Sequence, residues 1–124
     1  EADAHGSQRV EDTAIRMIDL AAVRKQGAAS AARQAVEHLS RRELAGFWLH
    51  VDADVLNDDV MPAVDYRMPD GLSWDELATV LRAAVASGRA IGMDVTIFNP
   101  KLDADGAMAT ALVDALTKGL REPA

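Results

Sequence analysis

Two aspartates, Asp52 and Asp54, close the apolar run "GFWLHVDA", and Asp58, Asp59 and Asp65 follow shortly after. Carboxylates are costly to bury unless a cation meets them. Along a strand, residues two apart face the same side, with Cα atoms roughly 6–7 Å apart. Alternation therefore predicts that Asp52 and Asp54 project together. Two carboxylates on one face repel each other unless protonated or bridged by a cation. Oxygen donors without sulfur point to Mg2+ or Mn2+. Two such ions, roughly 3.5–4 Å apart, would activate water for hydrolysis. His50 precedes Asp52 by two residues and shares its side. It is a candidate third ligand or a group that orients the ligands, or else a core histidine satisfied by hydrogen bonds. The structural alternative for the pair is that Asp54 caps the following loop and Asp52 faces a helix N-terminus.

Such a site needs a strand that ends at Asp52 and neighbours that hold it. "GFWLHVDA" has the length and continuous apolarity of a parallel strand covered on both faces. "RAIGMDVTIF" is a second such strand, and "TAIRMIDLAAV" a third, with Ile15, Met17 and Asp19 on one alternating face. Helical spacing appears in "ASAARQAVEHLSRREL", "LSWDELATVLRAAVASG" and "AMATALVDALTKGL". In the second of these, Ser73 and Glu76 have the spacing of a capping box, and Gly88 stands just past the end. Residues 1–12 read as a loop, and 55–71 as a long loop carrying Pro62 and Pro69. The order strand, helix, strand, helix, strand, helix predicts one α/β domain over residues 1–124, three-layered (αβα), with a mostly parallel sheet. Ligands of open parallel sheets bind at the carboxyl ends of the strands, where Asp52 and Asp54 lie. Three strands leave open edges, which predicts pairing with more chain or a second copy, hence a homo-oligomer.

The chain has 124 residues, 49% of them hydrophobic and 27% charged, the balance of a globular domain. Its net charge of −7 opposes nucleic-acid binding. No apolar run is long enough for a membrane span. With no cysteine there are no disulfides or thiolate ligands, which fits a reducing, cytoplasmic setting. The N-terminal "EADAHGSQRVEDTAIR" lacks the basic and apolar regions of a signal peptide, and reads as the interior of a longer chain.

The run "HVDADVLNDDVMPAVDYRMPDGLSWDEL" resembles the third metal motif of the ureohydrolase family of arginases, agmatinases and formiminoglutamases. That motif reads Asp-x-Asp-x-x-Asp-Pro, then a loop with a later proline, then Gly-Gly-Leu-(Ser/Thr) opening a helix. Asp52 and Asp54 match its start, Pro62 its proline, and Gly71, Leu72 and Ser73 its helix opening, without a gap. "GMDVTIFNP" is similar to the family segment Gly-x-Asp-(apolar)-x-Glu-x-Asn-Pro through Gly92, Asp94, Asn99 and Pro100. The resemblance implies the C-terminal part of an arginase-like fold. It also implies a binuclear manganese site with Asp52 and Asp54 as ligands, acting on a guanidino or amidine C–N bond. Asp94 could approach the site from the neighbouring strand, and in the family its position reads as supporting structure; a supporting role for His50 rests on its place two residues before Asp52. The family's other ligands lie in upstream motifs, one containing His and one reading Asp-Ala-His-x-Asp.

Several positions depart from the family pattern. Asn57 and Asp58 stand where the motif has Asp-Pro. The Glu that holds a guanidinium in arginase-like members falls on Ile97, and Asp65 and Tyr66 fill the loop's Gly and Thr positions. "DAHGS" at 3–7 imitates Asp-Ala-His-x-Asp, but Ser7 replaces the last Asp and no apolar strand precedes it. It reads as loop, with His5 solvated. His38 suits the end of a helix dipole. Trp48 and Trp74 read as core or interface packing, and Asn99 and Pro100 as the turn after a strand. Two carboxylates do not fill two octahedral sites, so the chain alone should bind metal weakly. Two rival readings stand. One is a non-catalytic α/β oligomerisation or binding module. The other is a haloacid-dehalogenase-like phosphatase, since "VDADV" is similar to that family's strand end; no downstream Lys and acidic partner supports it.

Overall fold

The computed structural model of the chain describes residues 10 and 12–121. Its elements are α1 (Leu20–Gln26), α2 (Ala28–Leu39), β1 (Phe47–Asp52), α3 (Trp74–Ala86), β2 (Ala90–Thr96) and α4 (Ala107–Leu120). Short 3-10 turns, Ala53–Val55 and Pro100–Leu102, follow the two strands. Most of the expected loop at 1–12, including "DAHGS" and His5, lies outside the described residues.

The strands pair in parallel, with His50 opposite Asp94, Val51 opposite Val95 and Asp52 opposite Thr96. One face is apolar. Val51 joins a buried cluster with Leu56, Met61, Val64, Leu77, Leu81 and Leu112, and Leu49, Met93 and Val95 pack against it. The other face carries Trp48, His50 and Asp94. The α/β class and the parallel pairing are as expected; the described residues supply one sheet of two strands.

The third strand does not form. Ile15 and Met17 are 66% and 48% exposed. Alternation makes a strand only where a neighbour accepts its hydrogen bonds, and among the described residues none does. The Asp19 carboxylate instead accepts the Ala22 N–H at 2.8 Å and starts α1. Four of the residues assigned to that strand, Leu20 to Val23, are therefore helical, as their Leu and Ala content favours.

Helix α3 begins as its capping box requires. Glu76 N–H donates to Ser73 Oγ at 3.2 Å, and Ser73 N–H donates to Glu76 Oε2 at 2.8 Å. Arg24 of α1 donates to the Glu76 carboxylate and to the Gly71 carbonyl, tying α1 to this corner. Leu77, Ala78, Leu81 and Ala84 are the buried stripe, and Gly88 takes a positive φ of 65° just past the end. Helix α4 packs on α3 and buries Leu112, Ala115 and Gly119.

The segment between β1 and α3 is more ordered than a solvated loop. Met61, Ala63 and Val64 are at most 2% exposed. Leu56 bridges Leu72 and Val64 bridges Phe98. At Gly71 a Cβ would collide with the backbone of Leu56 and Asn57, so only glycine allows this approach. The second bridge and the Asn99 N–H to Ala63 carbonyl bond, at 2.8 Å, lash the turn after β2 to this segment.

Candidate metal centre

Strand β1 delivers Asp52 to the carboxyl edge of the sheet, where β2 ends at Thr96 beside it. Thr96 Oγ1 donates to Asp52 Oδ1, and His50 Nε2 stands 3.1 Å from the same oxygen. His50 Nδ1 lies 2.6 Å from Asp94 Oδ2 across the strand pair. Trp48 Nε1 donates to the other Asp94 oxygen at 2.5 Å. A continuous polar row therefore runs Trp48, Asp94, His50, Asp52, Thr96 over one face of the sheet. Gly92 lets it form, because a Cβ there would strike the Trp48 ring.

The row lies open to solvent, with the His50 side chain 57% exposed. The bond to Asp94, then the charges of Asp94 and Asp52, raise the His50 imidazole above its ordinary pKa. The Trp48 N–H, then His50, hold the Asp94 carboxyl below the usual carboxylate value. Each partner stabilises the other's charged form.

Three of the four predicted site residues, His50, Asp52 and Asp94, are joined by direct contacts. Asp54 does not follow by strand alternation, because the chain leaves the strand at Asp52 and turns through Ala53–Val55. Ala53 is fully buried and anchors that turn in the core, leaving Asp54 half-buried in it. Among the described residues no three His, Asp or Glu side chains converge on a common metal position. The chemistry of the donors, carboxylate oxygen with imidazole beside it, nonetheless suits manganese. Asp59 is exposed, Asp58 pairs with Arg67 at 3.4 Å, and Asp65 accepts from Asn99 at 2.6 Å. Asn99 also caps the turn at Pro100, as its position after the strand suggested.

Two participants were not anticipated. Trp48 is 59% exposed and serves the polar row, whereas Trp74 does pack against the core. Thr96 fixes Asp52. Setting the two strands side by side in parallel, with His50 opposite Asp94, would have revealed both.

A model of the arginase family matches residues 2–119. The chain belongs to the arginase family. Arginase from Brucella melitensis is 28% identical over 111 residues, spanning 88% of this chain and 35% of that protein. N(omega)-hydroxy-L-arginine amidinohydrolase from Streptomyces lavendulae is 33% identical over 102 residues, 82% of this chain and 36% of that one. The chain thus spans about a third of the length of the curated relatives it matches. Among solved structures, an arginase from Bacillus subtilis superposes with a TM-score of 0.87 at 17% identity, over 98% of this chain and 44% of that one. A formiminoglutamase from Trypanosoma cruzi, with Mn2+, superposes with a TM-score of 0.80 at 24% identity, over 98% and 42%. At these identities the structural likeness establishes the fold, and establishes it as part of the arginase-family fold.

Proposed function

We propose that the chain is the C-terminal part of a ureohydrolase-type metallohydrolase, in which Asp52 and Asp54 bind manganese. What carries the reading is the placement of Asp52 at the carboxyl edge of a parallel strand, followed by Asp54, within a segment matched as arginase family. When bound, a manganese pair supplies an activated water for hydrolysis of a linear amidine C–N bond. The chain's own contribution is orientation. Thr96 fixes one Asp52 oxygen, and Ala53, buried, fixes where Asp54 leaves the sheet.

Ile97 limits the substrate. It is 45% exposed at the end of β2 and has no acceptor for a guanidinium. The reading therefore favours an amidine other than arginine or agmatine. Two carboxylates leave most metal positions unfilled, so the 124-residue chain alone is expected to be inactive. Among the described residues the outer edges of the β1–β2 sheet are open, which suits association with further chain or a second copy. The absence of cysteine suits the cytoplasm.

Metal analysis of the parent protein tests the reading. Manganese in the parent, lost together with hydrolytic activity in Asp52→Ala, is the expected result. A parent without manganese and indifferent to Asp52→Ala would refute it. Ile97 also favours a second reading, a non-catalytic module retaining the fold. That reading predicts a thermal unfolding midpoint unchanged by chelator.

A further inference from the structure

We propose that Asp65 selects the substrate. Its carboxylate receives an alkylammonium group carried on the same linear amidine, a few carbons from the C–N bond that is hydrolysed. The proposal rests on the metallohydrolase reading above, and adds to it a class of substrate and the residue that recognises it.

Placement comes first. Asp52 ends β1 beside Thr96, and Ile97 follows Thr96 directly. One residue further on, Phe98 forms an antiparallel bridge with Val64. Pairing runs in opposite directions across such a bridge, so the step back to Ile97 is matched by the step on to Asp65. Asp65 therefore shares the carboxyl edge with Asp52, their Cα atoms on the order of 10–15 Å apart. Two side chains and a small linear substrate span that distance.

Fixation comes second. Ala63 is fully buried and Val64 is 2% exposed, so the backbone leading to Asp65 is anchored in the core. The Asn99 side-chain amide donates to Asp65 Oδ1 at 2.6 Å. Its own oxygen accepts the Lys101 N–H at 3.0 Å, which sets the direction of the amide. That bond takes one of about four acceptor positions on a carboxylate and leaves the others for a ligand. The charge is also free. Arg67, the cation nearest in sequence, is held by Asp58 through its carboxylate at 3.4 Å and its carbonyl at 3.2 Å. Among the described residues Asp65 has no ion-pair partner, whereas Asp52, Asp58, Asp75, Glu76 and Asp94 each have one. An exposed anion already held in place binds a cation with little further ordering of its own.

Ile97 sets the order of groups along the substrate. It is 45% exposed and offers apolar surface without an acceptor. An amidine at the Asp52 end, methylenes at Ile97 and an ammonium at Asp65 match the three surfaces in turn. The Asp65–Asn99 bond also ties the loop to the turn after β2. Asp65→Asn separates that structural role from recognition, because asparagine keeps an acceptor oxygen for Asn99 and loses the charge.

Three N-alkylformamidines of matched length, ending in ammonium, methyl or carboxylate, are assayed as substrates of the manganese-loaded parent protein. The ratio of kcat/KM should favour ammonium over methyl at least about tenfold, as for a hydrogen bond to a charged group. In Asp65→Asn that ratio should fall toward one, through KM rather than kcat. Asp65→Lys should move the preference to the carboxylate compound, which a merely structural aspartate would not. Thermal unfolding checks both variants, and Asp65→Asn carries the test alone if Asp65→Lys unfolds. No preference for ammonium, or a preference that persists in Asp65→Asn, overturns the proposal and leaves the metallohydrolase reading standing. A parent that hydrolyses none of the three overturns it as well; the metallohydrolase reading is then decided separately by that parent's manganese content.

Discussion

On one face of the β1–β2 sheet, Val51 and Val95 pack into the cluster of Leu77, Leu81 and Leu112; on the other, Trp48, His50 and Asp94 stand open to water. The same two strands supply both faces, residue by residue. The apolar face is held by area removed from water, which is non-directional and insensitive to small shifts. The polar face is held by directed contacts between charged groups, each weakened by the surrounding solvent. Stability should therefore reside on the first face and chemistry on the second.

The division is tested most severely at Leu81, which is 1% exposed and lies against Gly119 of α4. Leu81→Ala should cost about 2–5 kcal/mol in denaturant unfolding, from lost burial and the cavity left behind. A cost near that of a surface change would mean that the α3–α4 packing is not what holds the sheet.

Ser73 comes next, at the edge between the two regimes. Ser73→Ala should cost about 1 kcal/mol by removing the capping acceptor. The same corner carries a pH signature. The Ser73 N–H, then Arg24, holds the Glu76 carboxyl below its ordinary value. A carboxyl depressed in the folded state contributes stability above its unfolded pKa, and that contribution is lost as pH falls through the folded one. Unfolding followed from neutral pH down to the strongly acidic range should show this loss. Glu76→Gln, measured alongside, should lack that component of the acid dependence.

How far these regions were legible in the sequence follows the same physics. Helix α3 announced itself through Ser73, Glu76, the helical spacing of its apolar residues, and Gly88, because each acts over a few residues. Strands β1 and β2 were legible as apolar runs. The segment around Ile15 and Met17 was misread because a strand is defined by its neighbour, and alternation records only half of that pairing. The burial of Met61, Ala63 and Val64 was hidden for a related reason: bridges to Phe98 and Leu72 belong to distant parts of the chain. At the site, Asp52 was placed by its strand, but the exit of Asp54 depended on how Ala53 seats in the core. The polar row needed the register of two strands, which neither strand encodes by itself.

Ile97 is a smaller test, and of opposite sign. It adopts a φ of 72°, in the left-handed region that a β-branched residue disfavours. The strand ladder at Thr96 and the bridge at Phe98 fix the chain on either side. Ile97→Gly should therefore stabilise the chain by about 0.5–1 kcal/mol, the relief of strain being partly offset by a freer unfolded chain. A loss of stability would show that the exposed Ile97 side chain packs where a purely functional position should not.

The smallest effect is expected on the open face. Asp94→Asn removes the charge that faces His50 and retains the shape of the side chain. Both groups are solvated, so water takes over much of what the pair provided, and salt already screens it. The thermal midpoint of metal-free Asp94→Asn should fall by less than that of Ser73→Ala, and the difference from wild type should shrink as salt is added. If Asp94→Asn instead costs as much as Leu81→Ala, the row from Trp48 to Thr96 supports the sheet from its second side, and the separation of scaffold from chemistry fails. A small cost would mean that the residues at this edge can be exchanged without losing the fold, the condition under which a family can vary its site while keeping β1 and β2 in register.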